Sequence, residues 1–320
     1  MIKLGIIGCG GMGGHHARTI HSMDGATLVG VADTIAAKAT ELATELGIEA
    51  YTDFHDLLPA VDGVMICTPP FARTEVVVDC AAAGKAIFAE KPIALDLPAA
   101  DRMLAACDQA GVFMMTGYVL RFTHPFLALR DTFASGELGR LVNCWSRRLM
   151  PFDTSHSWYG DQTKSGGVAL DFASHDIDWV RWIGGEVRSV FGRVDRVRPG
   201  IRADEHVHAL FTFDEGFGAI DDSWAPGIGL SSIGLIGSEG AMIVDADGTI
   251  RKQLSGAEET IVTPEPGESI QAHFVRCIRD GSEPRVSGHD ARQVLAAVLA
   301  IQESSRTGQA IVFNEGVDTP

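Results

Sequence analysis

The fold is decided by residues 2–33, IKLGIIGCGGMGGHHARTIHSMDGATLVGVAD. An apolar run of strand length, Ile2 to Ile7, leads into the turn Gly8-Cys9-Gly10-Gly11-Met12-Gly13. A helix-like stretch and a second apolar run, Thr27 to Ala32, follow before Asp33. Strand, glycine turn, helix, strand and acid in this order are the pattern of a dinucleotide-binding fold.

The glycines and the acid each have a separate predicted task. Gly8 allows the tight turn, Gly10 lets a pyrophosphate approach the main chain, and Gly13 permits close packing of helix on strand. The N–H groups at the helix start would hold the phosphates. Asp33, twenty residues after Gly13, would meet an adenosine ribose and repel the 2′-phosphate of NADP, which favours NAD. The predicted cofactor contacts of this region also include Gly11, Met12 and Thr34.

Further strand and helix signals alternate up to about residue 116. Their bounds are Val61–Cys67, Thr74–Ala83, Ala86–Ala89, Asp96–Ala110 and Val112–Thr116. Short connections between alternating strands and helices indicate a parallel, doubly wound sheet. Such sheets bind ligands beyond the carboxyl ends of their strands.

Two segments fall at that edge of the predicted sheet. Thr68-Pro69 follows one strand and Glu90-Lys91-Pro92 follows another. Thr68, Pro69 and Glu90 are therefore predicted to contact the cofactor, together with Lys91. Lys91 could also bind a substrate hydroxyl or move a proton, and the alternative is an ordinary solvated lysine.

After Tyr118 the alternation gives way to successive strands with short turns. This pattern predicts a mostly antiparallel sheet in a second, α+β domain. The predicted domains are residues 1–120, which bind dinucleotide, and residues 121–320, which bind substrate and form oligomer contacts. The predicted strands are Leu141–Leu149, Val187–Val197, His206–Phe213, Phe217–Trp224, Ser231–Ile236, Ala241–Val244 and Glu259–Val262.

The segment SGGVALDFASHDID, residues 165–178, holds the second set of candidate catalytic groups. In a continuous helix, Asp171, His175 and Asp178 would share one face, because they are three and four residues apart. A carboxylate beside an imidazole can tune proton transfer near neutral pH. The alternative is a surface helix with ordinary polar residues.

Composition disfavours several classes of partner. The chain has 320 residues, 46% hydrophobic and 21% charged, which describes a globular chain with a large core. Its formal net charge of −16 disfavours nucleic acid and anionic membranes as partners. No apolar run approaches the ~18 residues of a membrane helix. The six cysteines include no CxxC pair, which predicts reduced thiols, no metal site and a cytoplasmic location.

The chain resembles the glucose–fructose oxidoreductase, inositol dehydrogenase and MocA-like (Gfo/Idh/MocA) family over nearly its whole length. The motifs that carry the resemblance are the glycine turn, Thr68-Pro69, Glu90-Lys91-Pro92, GYVLRF at 117–122, SGGVALDFASHDID at 165–178 and the run 283–290. The resemblance implies a Rossmann domain followed by a domain with a large open sheet. It also implies an NAD(P)-dependent dehydrogenase acting on a sugar or polyol, and a homodimer or homotetramer.

By the same resemblance, Lys91, Asp171 and His175 would be the catalytic residues. The substrate site would add Arg121, Trp158 and Asp178 to these three. His175 would act as general base with Asp171 orienting it, and Lys91 would stabilise the developing alkoxide. Two other functions stay open: a non-catalytic NAD-dependent sensor or regulator, and an enzyme that cleaves glycosides through transient oxidation.

One residue departs from the family pattern. Arg73 stands where a histidine is usual after the Thr-Pro pair, which puts in doubt any contacts inferred for positions 70 and 73. The run Arg147-Arg148-Leu149 also lacks the asparagine that inositol dehydrogenases commonly carry nearby, which weakens an assignment to inositol in particular.

Overall fold

A computed structural model describes residues 1–263 and 267–313, and the chain divides into two compact units. The first unit contains Met1–Tyr118 and Glu268–Arg292. The second contains Val119–Gly267 and the chain from Gln293 onward. The sequence predicted a single division at residue 120, so the return of the chain to the first unit near residue 268 is a difference from that expectation.

The helices and strands of the described residues are numbered along the chain. The strands are β1 Ile2–Ile7, β2 Ala26–Ala32, β3 Glu49–Tyr51, β4 Gly63–Ile66, β5 Ala86–Ala89, β6 Met114–Thr116, β7 Leu141–Leu149, β8 Ser189–Asp195, β9 His206–Thr212, β10 Phe217–Ser223, β11 Leu230–Gly237, β12 Gly240–Val244, β13 Ile250–Leu254, β14 Thr260–Val262 and β15 Ile311–Val312. The helices are α1 Gly11–Ser22, α2 Ala36–Leu46, α3 Thr74–Ala82, α4 Leu97–Ala110, α5 His124–Ala134, α6 Gln162–Ser165, α7 Gly167–Asp171, α8 Ser174–Gly184, α9 Ile270–Asp280 and α10 Gly288–Thr307.

The first unit is built on a six-stranded sheet in the order β3-β2-β1-β4-β5-β6. Every pairing in it is parallel. The central strands β1 and β4 are apolar and buried on both faces, as expected for strands covered by helices on each side. The order reverses between β1 and β4, the place where doubly wound sheets bind ligands. The predicted Rossmann fold is confirmed.

The segment 268–292 joins the first unit because it carries an apolar helix face that fits there. Ser269 caps α9 by accepting a hydrogen bond from the main-chain N–H of Ala272 at 3.1 Å. Phe274 packs edge-on against Phe88 and Phe113, with ring centroids 5.8 Å apart in each case. These contacts bury the ring completely, which accounts for the return of the chain.

The second unit contains a nine-stranded sheet in the order β14-β13-β12-β11-β7-β10-β9-β8-β15. The pairing of β10 with β7 is parallel and the remaining pairings are antiparallel. Helix α8 packs on β7 and β10. The predicted large, mostly antiparallel sheet is confirmed. Within the described residues, no helix is both long enough and apolar enough to cross a membrane.

Candidate active site

The glycine turn of the first unit has two kinds of glycine. Gly8 has φ +98°, and a Cβ there would lie 2.9 Å from the main chain of Cys67. A Cβ at Gly13 would overlap the carbonyl oxygen of Gly8. By contrast, nothing lies within 4 Å of a Cβ placed on Gly10 or Gly11. Gly8 and Gly13 therefore shape the turn, and Gly10 and Gly11 leave its outer surface open to a ligand.

Asp33 ties the end of β2 to this turn. Its Oδ2 accepts a hydrogen bond from the main-chain N–H of Cys9 at 2.8 Å, and its Oδ1 accepts one from Ile35 N–H at 2.8 Å. The carboxylate is partly exposed and Thr34 beside it is exposed, so remaining lone pairs are available to hydroxyl donors. The structure thus brings the predicted acid and the predicted glycines together.

The start of α1 completes a cradle that suits an anionic dinucleotide. Its first turn contains no acidic residue, so the partial positive charge of the helix N-terminus is not offset there. Met12 is 47% exposed. Thr68, with Pro69 after it, leaves β4 beside the turn, since a Cβ on Gly8 would lie 2.9 Å from the Thr68 nitrogen. These features fit a pyrophosphate over the turn.

Glu90, at the end of β5, belongs to a buried hydrogen-bond chain. His16 Nε2 is 2.7 Å from Glu90 Oε1, and the amide nitrogen of Gln271 is 2.9 Å from His16 Nδ1. Since an amide NH₂ can only donate, Nδ1 accepts and Nε2 carries the proton that is donated to Glu90. The main-chain N–H of Lys91 donates to Glu90 Oε2 at 3.0 Å. Burial raises the pKa of Glu90, but the His16 hydrogen bond and the nearby positive charges outweigh it and lower that pKa overall.

The Glu90 side chain is directed to His16 and to the Lys91 main chain, and the residue is 6% exposed. Its carboxylate therefore supports Lys91, and contact of Glu90 with the cofactor stays a prediction. The sequence predicted His16 as a packing or surface residue and not as part of the site. The signal available was its position three residues after Gly13 and four before Ile20, on the buried side of α1. The peptide bond between Lys91 and Pro92 is cis.

In the second unit, Asp171 and His175 do not share one continuous helix. Helix α7 ends at Asp171 and α8 begins at Ser174. The Ser174 hydroxyl lies 3.5 Å from the carbonyl oxygen of Asp171, and the main-chain N–H of His175 donates to Phe172 O at 3.3 Å. A side-chain hydroxyl that competes for a helical carbonyl favours such a break. The prediction of one unbroken helical face is wrong in this respect.

His175 is nevertheless placed differently from all of its neighbours. Between Ser165 and Arg181, a range that the structure describes throughout, His175 is the one residue that is not buried. Asp171 is 8% exposed. The alternative of an ordinary surface helix is excluded, and His175 is the partly exposed residue of this segment, with its Nδ1 atom buried.

Arg121 and Asp178 form an ion pair inside the second unit. The Arg121 Nε and Nη2 atoms lie 2.9 and 2.7 Å from the two carboxylate oxygens of Asp178. Asp178 is fully buried and Arg121 is 5% exposed. The guanidinium also lies over the ring of Trp182, 5.4 Å from its centroid. The pairing stabilises both buried charges, and the contact of Arg121 and Asp178 with substrate stays a prediction.

A second charged cluster lies against α8, directly after His175. Arg148 Nε is 2.8 and 2.9 Å from the two oxygens of buried Asp176, which also accepts from the Ser146 hydroxyl. Asp222 Oδ1 accepts from the Arg148 main-chain N–H at 2.9 Å. Its Oδ2 meets no donor within residues 1–263 and 267–313. Burial, together with the negative charge of Asp176, raises the pKa of Asp222, which favours the protonated acid.

Trp158 begins a 3-10 turn of the second unit, Trp158–Gly160, which borders a cavity. Its ring stacks on Tyr159 with a centroid distance of 3.9 Å. The cavity has a volume of about 460 Å³, and its lining includes Thr154, Trp158, Asp161, Lys164 and Arg202. Within the described ranges, no group of three or more His, Cys, Asp or Glu side chains is arranged to hold a metal ion.

Two family models match the chain. Residues 2–118 match the oxidoreductase family with an NAD-binding Rossmann fold (GFO_IDH_MocA), and residues 126–243 match the GFO/IDH/MocA C-terminal domain. The chain belongs to the Gfo/Idh/MocA family. As a Gfo/Idh/MocA protein it is an NAD-binding oxidoreductase, and the glycine turn, the α1 N-terminus and Asp33 all lie within the matched NAD-binding domain.

Curated and solved relatives of this Gfo/Idh/MocA protein extend over its length. A myo-inositol 2-dehydrogenase from Thermotoga maritima is 29% identical, across 98% of this chain and 99% of the relative. An inositol 2-dehydrogenase from Rubrobacter xylanophilus is 30% identical, across 80% of this chain and 73% of the relative. The crystal structure of a probable dehydrogenase from Thermotoga maritima is 27% identical, has a TM-score of 0.86, and covers 99% of this chain and 100% of that one.

Proposed function

We propose that this protein is an NAD-dependent dehydrogenase that oxidises a secondary alcohol of a sugar or polyol and reduces the corresponding ketone in the reverse direction. The observation that carries the proposal is the partly exposed His175, four residues after the buried Asp171, in a chain that binds NAD. The names of the inositol dehydrogenase relatives support an inositol-like polyol as the substrate class.

His175 is the proposed general base. It takes the hydroxyl proton as the hydride leaves the alcohol carbon, and Asp171 orients the imidazole and stabilises its protonated form. Lys91 is the proposed donor of a hydrogen bond that stabilises negative charge developing on a substrate oxygen. NAD, when bound, supplies the hydride acceptor. In the reverse direction the same groups return the proton to a carbonyl oxygen.

The chemistry of Asp33 supports NAD over NADP as the cofactor. Its carboxylate can accept hydrogen bonds from ribose hydroxyls, and its negative charge would repel a 2′-phosphate. Two main-chain N–H groups already fix the orientation of the Asp33 carboxylate, so it needs little rearrangement to distinguish NAD from NADP.

The deciding experiment is a panel of polyols and aldoses, inositols included, followed by NADH absorbance with NAD and NADP side by side. We expect NADH formation with at least one polyol and a clear preference for NAD. NAD binding without turnover across the panel would contradict the proposal and favour a sensor. Release of a free sugar from glycosides without net NADH would favour cleavage by transient oxidation.

We also propose a homo-oligomer and a cytoplasmic location. One face of the nine-stranded sheet exposes a row of apolar side chains, which includes Phe191, Leu210 and Ile243, and a second copy could cover it. The six cysteines are free thiols, which supports a reducing compartment.

A further inference from the structure

Arg73, the residue that departs from the family pattern, is almost completely buried in the first unit, with 2% exposure. It lies between a 3-10 turn and the start of α3. Its Nη1 donates to the carbonyl oxygens of both Glu90 and Pro92, and its Nη2 donates to that of Thr68. One guanidinium therefore holds main-chain atoms of two loops at the carboxyl edge of the parallel sheet.

The two carbonyls bound by Nη1 belong to the residues immediately before and after Lys91. On the other side, the Lys91 main-chain N–H is held by Glu90 Oε2 at 3.0 Å. The main chain at Lys91 is thus fixed by two buried charged side chains, one donating and one accepting. The Arg73 charge also contributes to the lowered pKa of Glu90, so the two side chains stabilise each other's burial.

We propose that Arg73 is a positioning residue that fixes the main chain on both sides of Lys91 and links it to the Thr68 loop. The positioning itself stands on the contacts above. Its consequence for catalysis rests on the proposed function, because that function assigns Lys91 its role.

The chemistry of the guanidinium explains why a substitute would do less. Arginine offers five N–H donors in a rigid, planar arrangement, so it can reach several carbonyls on two loops. A lysine brings the same charge as a single point on a flexible stem, and an imidazole brings at most two N–H groups that point apart. Arg73→Lys and Arg73→His should each keep only some of the hydrogen bonds to the carbonyl oxygens of the two loops.

Hydrogen exchange tests the positioning without any assay of turnover. The variants are Arg73→Lys and Arg73→His, and the matched control is Arg102→Lys, because Arg102 is an exposed arginine of the same unit that pairs with Glu75. We expect peptides that span residues 88–94 to exchange about tenfold faster or more in the Arg73 variants, with peptides from β9 unchanged. Arg102→Lys should exchange like the parent. A thermal melt shows whether each Arg73 variant folds. If one of them misfolds, the other still tests the inference.

Turnover then tests the consequence. Since a misplacement of about 1 Å can cost ~10²-fold in rate, Arg73→Lys should lower kcat about 10- to 100-fold while leaving the Kd for NAD within about threefold. In a Lys91→Met background the same change should cost much less, because the group that it positions is gone.

The outcomes separate the two claims. Parent-like exchange at 88–94 in both Arg73 variants overturns the inference, and so does a kcat loss that adds in full to that of Lys91→Met. Parent-like turnover of Lys91→Met overturns the role of Lys91 in the proposed function, while faster exchange in the Arg73 variants would still support the positioning.

Discussion

His175 combines two properties that a general base needs: an imidazole, which can accept a proton, and partial exposure. Its neighbours on both sides are buried, so they hold the main chain around it in place. We expect His175→Asn to lower kcat ~10²–10⁴-fold, the usual worth of acid–base assistance, with an unchanged Kd for NAD. Steady-state kinetics and NAD titration by fluorescence measure both quantities. His208→Asn, on the exposed sheet, is the control, and an equal loss in that variant would contradict the assignment.

Asp33 makes a second prediction at the scale of single residues. In Asp33→Asn one carboxylate oxygen becomes an NH₂ group and the negative charge is lost. Because hydrogen bonds to charged groups contribute about 1.5–3 kcal/mol, NAD binding should weaken about 10- to 100-fold. NADP binding should weaken less or improve, since the repulsion of a 2′-phosphate is removed. Parallel titrations with both cofactors measure the ratio, and an unchanged ratio would refute the role of Asp33.

Contacts between residues that are distant in the sequence could not be predicted from local sequence patterns. The spacing of Gly8, Gly13 and Asp33 predicted a real cradle because all three lie within one strand–helix–strand unit. Arg121 and Asp178, 57 positions apart, each looked like a substrate contact, and only the fold shows that they pair. The link between His16 and Glu90 spans 74 positions, so no local pattern could reveal it.

At the scale of elements, buried apolar strands could be predicted, whereas the short strand β3 and the polar strand β13 could not. The apolar runs that became β1, β4 and β5 stand out between glycine and proline turns. Strand β3, with sequence EAY, lies at an edge and is largely exposed. Strand β13, IRKQL, exposes part of its polar side chains. Their pairing partners, rather than their own composition, make them strands.

The buried cluster beneath α8 predicts how this element depends on pH. The pKa of Asp222 is raised in the folded protein, so the native state holds a proton that the unfolded chain releases. The protonated Asp222 therefore contributes fully to the free energy of unfolding at a pH below the carboxyl pKa of the unfolded chain. That contribution is lost as the pH rises through the pKa of Asp222 in the folded protein. Asp222→Asn cannot ionise, so its unfolding free energy should fall less toward alkaline pH than that of the parent.

Asp176→Asn is the matched variant, because it removes the carboxylate that pairs with Arg148. Breaking a buried pair from one side costs about 3–5 kcal/mol, so this variant should be strongly destabilised at every pH. Urea unfolding of the parent and both variants at acidic and alkaline pH measures the difference. Equal destabilisation by the two substitutions would show that Asp222 is not a protonated partner of Asp176.

For the whole molecule, the register of the nine-stranded sheet identifies a candidate subunit interface for the proposed oligomer. Cross-strand pairing aligns one residue from each of six adjacent strands, and the row consists of five apolar residues and one glycine. The row is Phe191, Leu210, Ala219, Trp145, Gly234 and Ile243. Phe191, Leu210 and Ile243 are 43%, 51% and 41% exposed. A contiguous apolar row of this kind is typical of a protein interface.

Leu210→Glu places a charge in the middle of this row. In a homo-oligomer assembled through the sheet, the buried and unpaired carboxylate would be costly, so the variant should sediment at a lower mass than the parent. Ala105→Glu is the control, because it adds the same charge to an exposed position of α4 in the first unit. Analytical ultracentrifugation at matched concentrations measures both. A parent that sediments as a monomer, or a Leu210→Glu variant that keeps the parent's mass, would exclude this face as the interface.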